Sequence, residues 1–146
     1  MKKIKPGKDY IGVGGGVLIF NKKGEVLLMR RYNTRNEAGW WCKPGGGIDY
    51  GEKAIQAMRR EIKEEVGISI DIWGILPNTD QILKKEKQHW LAVNYIANIK
   101  KGKPKIMEPD KCDKLEWVDI NKLPKKLTQT TKEPVKDYLA GRYIRL

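Results

Sequence analysis

The chain has 146 residues and a formal net charge of +12 at pH 7, from 30 Lys and Arg against 18 Asp and Glu. Its length is typical of one domain and its hydrophobic content of 40% is enough for a packed core, so we expect a single globular domain over residues 1–146. No apolar run approaches a membrane span and the N-terminal residues lack the apolar segment of a secretory signal, which predicts a protein outside the membrane.

The first third of the chain predicts strands that lead into a glycine-rich loop. An apolar, glycine-rich run at 10–20 predicts a long strand, and a turn at 21–24 connects it to a second apolar strand at 25–30. A polar loop follows at 32–39, and residues 40–43 predict a short strand. That strand delivers the sequence Lys-Pro-Gly-Gly-Gly, in which glycines let the backbone approach a ligand closely.

Residues 52–66 predict an amphipathic helix. Its apolar residues recur at spacings of three and four, as expected for one buried face: Ala54, Ile55, Met58, Ile62 and Val66. Gly67 is placed to end the helix, because glycine adopts positive φ without a Cβ clash. Glu52 falls in the predicted first turn, where a carboxylate suits the helix dipole.

Three glutamates on this helix predict a cation site. Glu61, Glu64 and Glu65 are spaced i, i+3 and i+4, which should place them on one face, opposite the apolar residues. Like charges at that spacing repel, and Mg²⁺ would neutralise them because it prefers carboxylate oxygens together with substrate phosphates. The alternative is a solvated charged face in which Arg60 and Glu64 form an ordinary ion pair. The glycine loop directly before the helix favours the metal–diphosphate interpretation.

The second half of the chain predicts three more strands and a second helix. The strands are expected at 69–76, 88–100 and 116–119, and the helix at 131–140, ended by Gly141. The order strands, helix, strands, helix predicts the α/β (α+β) class, with a mixed sheet and helices on both faces.

The residues from Gly46 to Ile68 resemble one known motif at all nine of its specified positions. They match the Nudix box G-x5-E-x7-R-E-U-x-E-E-x-G-U, where U is a bulky aliphatic residue. The chain therefore resembles the Nudix hydrolases, which cleave nucleoside diphosphates linked to another group. That resemblance implies an α/β/α sandwich, a hydrolase acting on phosphorus-containing anhydrides, and Mg²⁺ as cofactor, with Mn²⁺ as a substitute.

The same resemblance implies roles for the residues of the box. Glu61 and Glu65 would be the principal metal ligands, Glu64 would assist directly or through water, and the carbonyl of Gly45 would complete the set. Arg60 would orient the glutamates, while Glu52 and Gly67 would be structural. Glu61, Glu64 and Arg60 are the catalytic candidates, and the identity of the general base stays open.

A second stretch resembles the MutT-like nucleoside triphosphate diphosphatases. Residues 107–118 read Met-Glu-Pro-Asp-Lys-Cys-Asp-Lys-Leu-Glu-Trp-Val, and residues 12–17 add a glycine-rich segment of the same look. This branch implies hydrolysis of canonical, oxidised or modified nucleoside triphosphates to the monophosphate and pyrophosphate, by a homodimer. Three alternatives stay open: a pyrophosphatase for ADP-ribose or another nucleoside diphosphate sugar, an RNA 5′ pyrophosphohydrolase, and a non-catalytic RNA-binding module of this fold.

Candidates for substrate binding come from the residue types that recognise phosphate and base. Arg30, Arg31 and Lys43 are cations that could hold phosphates, although each could instead be solvated, and Gly46 lies in the loop expected to meet the diphosphate. Trp90 is a candidate for base stacking, although an aromatic residue on a strand is more often core. Glu108 could complete the site from a distant loop, with a solvated turn as the alternative.

The charge and the two cysteines constrain the setting. The lysines are scattered along the chain, so we expect a small nucleotide substrate and a lysine-rich exterior instead of a nucleic-acid surface. Cys42 and Cys112 lack metal-ligand spacing, which predicts reduced thiols and a cytoplasmic location.

Overall fold

The computed structural model describes residues 1–33 and 37–146, which form a mixed sheet between two helices. Within those residues the strands are β1 (Gly12–Phe20), β2 (Glu25–Arg31), β3 (Trp41–Cys42), β4 (Gly45–Gly47), β5 (Ser69–Leu83), β6 (Gln88–Lys101), β7 (Cys112–Asp119) and β8 (Ile144–Arg145). The helices are α1 (Ala54–Val66) and α2 (Gln129–Leu139). The predicted sandwich with a mixed sheet is confirmed.

The sheet combines one parallel pair with antiparallel neighbours. Its main order is β3-β2-β1-β6-β5-β8, with β4 added to β1 and β7 added to β2. β1 runs parallel to β6, from Gly12 beside Trp90 to Phe20 beside Asn98. A parallel pair needs a long connection between its strands, and the chain between β1 and β6 supplies one that contains α1.

Strand alternation on β1 divides the interior into two cores. Val17 and Ile19 face α1, whereas Leu18 and Phe20 face α2. The apolar face of α1 is buried as predicted at Met58, Ile62 and Val66, each with 0% exposure, and Ala57 adds to it. Both faces of the sheet are therefore covered. None of the described helices is long and apolar enough to cross a membrane.

Two strands are longer than the sequence predicts. β5 continues to Leu83, although the prediction ended it at Leu76. Pro77 interrupts the apolar pattern there, but the strand resumes its pairing with β6 after an irregularity between Leu76 and Thr79. β7 begins at Cys112 instead of residue 116, because it pairs with β2 along nearly its whole length. The extra length of β5 supplies part of the cavity wall described below.

The glycine loop is itself a strand, which the sequence does not predict. Gly45, Gly46 and Gly47 form β4 and pair with Gly16, Gly15 and Gly14 of β1. Two facing rows of glycine allow this close approach, since a Cβ on Gly45 would overlap the carbonyl oxygen of Gly15. The loop is thereby fixed to the centre of the sheet.

The start of α1 corrects one expectation. The helix begins at Ala54, so Glu52 lies before it and the predicted position in the first turn is wrong. The carboxylate of Glu52 accepts hydrogen bonds from Arg60 and from the backbone N–H of Asp49. At the other end Gly67 has φ 70°, which confirms it as the left-handed residue that ends the helix.

Candidate active site

The glycine strand and α1 meet through two glutamates. The N–H of Gly45 donates to Oε1 of Glu65 at 2.9 Å. The carboxylate of Glu61 lies against Gly46, where an added Cβ would overlap it. Two of the predicted metal ligands are thus held against the backbone that was predicted to meet the diphosphate.

Burial and neighbouring charge make Glu65 a poor site for a lone negative charge. The pKa of Glu65 is raised to about 8, chiefly by burial and also by the nearby carboxylates of Glu61 and Glu108, while the hydrogen bond from Gly45 opposes this shift. The pKa of Glu61 is also raised, first by burial, although Arg60 opposes the shift. Both carboxylates lack sufficient compensating positive charge from the protein.

A distant loop brings Glu108 to this pair. The N–H of Met107 donates to the carbonyl of Glu65 at 3.2 Å, and the N–H of Lys105 donates to the carbonyl of Val66 at 3.1 Å. These bonds satisfy carbonyls at the end of α1 that have no partner within the helix. They also fix the loop so that Glu108 acts electrostatically on Glu61 and Glu65. Lys111 follows and forms an ion pair with Glu108 at 3.4 Å.

Arg60 connects the box residues. Its guanidinium donates to Glu52 at 2.7 and 2.8 Å and to Glu61 at 2.9 Å. It also reaches Glu64 at 3.3 Å and the carbonyl of Gly47 at 3.2 Å. These bonds raise the pKa of Arg60 and lower the pKa of Glu52 to about 2. These hydrogen bonds suit a residue that orients the carboxylate of Glu61.

The three glutamates do not share one environment. The side chain of Glu61 is 18% exposed and that of Glu64 is 54% exposed. Glu61 and Glu65 therefore border the buried side of α1, and the expectation that all three lie opposite the apolar face holds only for Glu64. Glu64 faces solvent, which suits an outer role through water.

The residues fit a hard dication. Glu61, Glu65 and Glu108 bring carboxylate oxygens close enough to act on one another, and Mg²⁺ prefers such oxygen donors. Within residues 1–33 and 37–146 no group of three or more His, Cys, Asp or Glu is gathered as a set of ligands. Glu65 is instead held by Gly45 and Glu61 by Arg60, so these protein contacts would have to give way to a cation.

A cavity of about 320 Å³ opens beside Glu65. That volume is at the lower end of the range for small-molecule sites, roughly 300–1,000 Å³. Its walls come from the glycine strands, β2, β5, β6 and the start of α2, and its polar and aromatic lining is Arg31, Lys43, Glu65, Gln81, Trp90, Lys111 and Thr130. A second cavity of about 280 Å³ shares Arg31, Gln81, Trp90 and Thr130 with it. Together they provide room for a nucleotide.

The structure brings most of the predicted substrate residues to this cavity. Lys43, Gly46 and Trp90 line it, whereas Arg30 does not. The guanidinium of Arg30 binds the carboxylate of Asp113 at 2.5 and 2.8 Å. Its neighbour Arg31 lines the cavity instead, because successive residues of β2 point to opposite sides.

Arg31 was one of the predicted phosphate-binding cations, whereas sequence reasoning missed Gln81, Lys111 and Thr130 as lining residues. Lys111 carried a usable signal, since it lies in the quoted stretch that contains Glu108, but Gln81 and Thr130 carried none. Cys42 also lines the cavity, and its pKa is raised to about 11, chiefly by burial, which suits a packed thiol. His89 binds Asp80 at 3.1 Å and does not line this cavity.

The fold agrees with that of known proteins. A sequence profile of the NUDIX domain matches residues 11–138. The chain belongs to the Nudix family. Its structure is similar to the crystal structure of the MutT NUDIX hydrolase from Burkholderia pseudomallei, with a TM-score of 0.81. The match covers 86% of this chain and 95% of that one, at 36% sequence identity.

Relatives with assigned activities are more distant. The chain is 31% identical over 121 residues to the RNA pyrophosphohydrolase of Ruthia magnifica, covering 71% of this chain and 65% of that protein, slightly under two thirds of its length. It is 30% identical over 121 residues to the ADP-ribose pyrophosphatase of Methanocaldococcus jannaschii, covering 83% and 69%. The chain is a Nudix pyrophosphohydrolase, a hydrolase of phosphorus-containing anhydrides, and Nudix enzymes generally use a divalent metal.

Proposed function

We propose that this Nudix enzyme hydrolyses nucleoside 5′-triphosphates, canonical or modified, to the monophosphate and pyrophosphate with Mg²⁺. The observation that carries the proposal is the half-buried carboxylate of Glu65, which is held on the glycine strand beside Glu61 and Glu108 and lines the cavity. Such a site attracts a dication and its phosphates.

The protein's residues divide the work. Glu61, Glu65 and the carbonyl of Gly45 would hold the cation, with Glu108 and the exposed Glu64 as further oxygen donors. A divalent cation neutralises charge on the phosphates and lowers the pKa of a bound water. Arg60 keeps Glu61 oriented, and a carboxylate of this group accepts the proton of the attacking water. Lys111, on the rim beside Glu108, adds positive charge for the phosphates.

A second candidate is the triphosphate at the 5′ end of RNA. Several relatives are named RNA pyrophosphohydrolase, including those of Ruthia magnifica and Bartonella clarridgeiae. The net charge of +12 would favour a polyanionic strand as well as a free nucleotide. ADP-ribose is the third candidate, from the relative in Methanocaldococcus jannaschii.

One panel separates these candidates. The purified enzyme is assayed with Mg²⁺ on the canonical and oxidised nucleoside triphosphates, on ADP-ribose and on RNA carrying a 5′-triphosphate. We expect the highest kcat/KM for a free triphosphate, release of pyrophosphate, and loss of turnover in EDTA. Faster turnover of ADP-ribose or of the RNA end would replace the leading substrate. Binding of RNA with no turnover of any diphosphate would replace the enzyme with a binding module.

We further propose that the enzyme works as a homodimer in the cytoplasm, where its nucleotide substrates and a reducing environment for Cys42 and Cys112 are found. Sedimentation equilibrium at micromolar concentration tests the assembly. A mass equal to one chain would contradict it.

A further inference from the structure

One of the cationic side chains that line the cavity, Lys43, lies on the side of the sheet that faces α2. Lys43 is only 7% exposed, and its ammonium donates to the carbonyl of Thr130 at the start of α2. Its stem crosses Gly16, where an added Cβ would overlap it. Because Val17 faces α1 and side chains alternate along a strand, Gly16 faces α2. The ammonium therefore lies on the α2 side of the sheet.

The carboxylate that acts on Lys43 differs from those that act on Glu65. The charged groups that act on Glu65 are Glu61, Glu108 and Lys111. The carboxylate that acts on Lys43 is Glu133, which belongs to α2, whereas the thiol of Cys42 interacts with both Lys43 and Glu65. A phosphate bound through a cation at these carboxylates would therefore lie next to Lys111. Lys43 instead lies at the start of α2, so a nucleotide whose phosphates met Lys111 would extend its base towards Lys43.

A hydrogen-bond acceptor and an aromatic ring accompany Lys43. The side-chain nitrogen of Gln81 donates to Glu37 at 3.0 Å. Its carbonyl oxygen then has no hydrogen bond within the described residues and remains an acceptor. Trp90 is the sheet partner of Gln81 and of Gly12, which lies on the same side of β1 as Gly16. Trp90 and Gln81 therefore line the cavity on the α2 side, with Lys43 and Thr130. This part thus presents a fixed ammonium donor, an amide acceptor and an indole.

We propose that Lys43 is a specificity-determining residue that donates a hydrogen bond to an exocyclic oxygen of the base, so that the enzyme prefers guanine and hypoxanthine to adenine. The inference rests on the proposed function and names its substrate class. Guanine presents the acceptor O6 where adenine presents an amino group. An ammonium carries only donors, so it would face the adenine amino group unpaired. Gln81 would accept from the adjacent ring N–H of an oxopurine.

The test compares ITP with ATP, which differ only at the 6-position and the adjacent ring proton. For the natural enzyme we expect kcat/KM to favour ITP by roughly 10- to 100-fold, the range of a hydrogen bond to a charged group. Lys43→Met keeps the length of the stem and should bring that ratio close to one. Lys111→Met is the matched control, because it removes a cation from the phosphate side. It should lower kcat/KM for both triphosphates and preserve their ratio.

Binding without turnover separates this inference from the proposed function. Calorimetry of IMP and AMP in EDTA should show tighter binding of IMP to the natural enzyme, and similar binding of both to Lys43→Met. If no triphosphate is hydrolysed, the proposed function fails, and the IMP preference decides the inference alone. Equal affinity for IMP and AMP, or a preference that survives Lys43→Met, would overturn it. Equal loss with ITP and ATP in Lys43→Met would also overturn it and assign Lys43 to the phosphates.

Discussion

Glu65 is where charge, burial and backbone geometry meet, so its removal is the sharpest test of the site. Glu65→Gln keeps the size of the side chain and removes the charge that would hold a cation. We expect kcat to fall by roughly 10² or more, the scale of losing one electrostatic stabiliser of the transition state. The melting temperature should not fall, because the buried carboxylate is relieved of repulsion by Glu61 and Glu108.

The control for this change is Glu86→Gln, in the turn between β5 and β6. It removes the same charge from outside the cavity and should leave kcat unchanged. Both variants are assayed at saturating Mg²⁺, with melting curves to confirm folding. Equal kcat in the two variants would remove Glu65 from the metal site.

Two neighbouring glycines allow the effect of one added Cβ atom to be compared at adjacent positions. In Gly46→Ala the added Cβ would overlap the carboxylate of Glu61 and displace it. Since a misplacement of about 1 Å can cost about 10²-fold in rate, we expect a loss of that order. In Gly47→Ala the added Cβ meets nothing within 4 Å, so activity should be close to that of the natural enzyme. Steady-state kinetics of the pair would contradict the site geometry if Gly47→Ala were the more damaged.

At the scale of an element, the start of α1 is tied to the body of the helix by Arg60 and Glu52. The hydrogen bonds from Arg60 lower the pKa of Glu52 to about 2, whereas an unfolded glutamate titrates near about 4.3. A carboxyl group whose folded pKa is depressed stabilises the fold above the unfolded value and loses that contribution as pH falls through the folded value. The contribution of Glu52 should therefore be complete at pH 6 and decline between about pH 4.3 and 2.

The measurement is the melting temperature of Glu52→Gln against the natural enzyme as a function of pH. The variant should melt lower at pH 6, and the difference should shrink as the pH falls towards 3. Glu25→Gln, in the first β-hairpin away from Arg60, is a suitable control for the general effect of acid. A difference that stays constant from pH 6 to 3 would contradict the depressed pKa.

The elements differ in how well the sequence predicts them, for physical reasons. α1 could be predicted because its apolar spacing and the terminating Gly67 are local signals. β4 could not be predicted, because three glycines show no alternation of polar and apolar residues. The strand forms only by pairing with the glycines of β1. In the site, the helical spacing of Glu61 and Glu65 within the Nudix box was also a local signal, and it predicted that they are neighbours. The choice of Arg31 over Arg30 as a lining residue depends on which side of β2 faces the cavity, and that is set by tertiary packing.

For the molecule as a whole, the charge of +12 should affect how fast a nucleotide arrives. Attraction of a polyanion raises the association rate, and salt screens it as the Debye length falls from about 30 Å at 0.01 M to about 8 Å at 0.15 M. We expect kcat/KM for a triphosphate to fall over this range while kcat changes little. Stopped-flow or steady-state assays at matched free Mg²⁺ test this, and a kcat/KM independent of salt would show that steering does not limit the reaction.

The parallel pairing of β1 with β6 also has a consequence for how the enzyme comes into being. Gly12 and Trp90 are partners in the sheet but lie far apart in the chain, and Glu108 follows later still. Contacts of such separation form late, because the entropy of closing the long loop must be overcome first. During synthesis, the glycine strand and α1 leave the ribosome well before the strand that completes the cavity wall. The nascent chain therefore carries the whole Nudix box for some time without a pocket in which to use it.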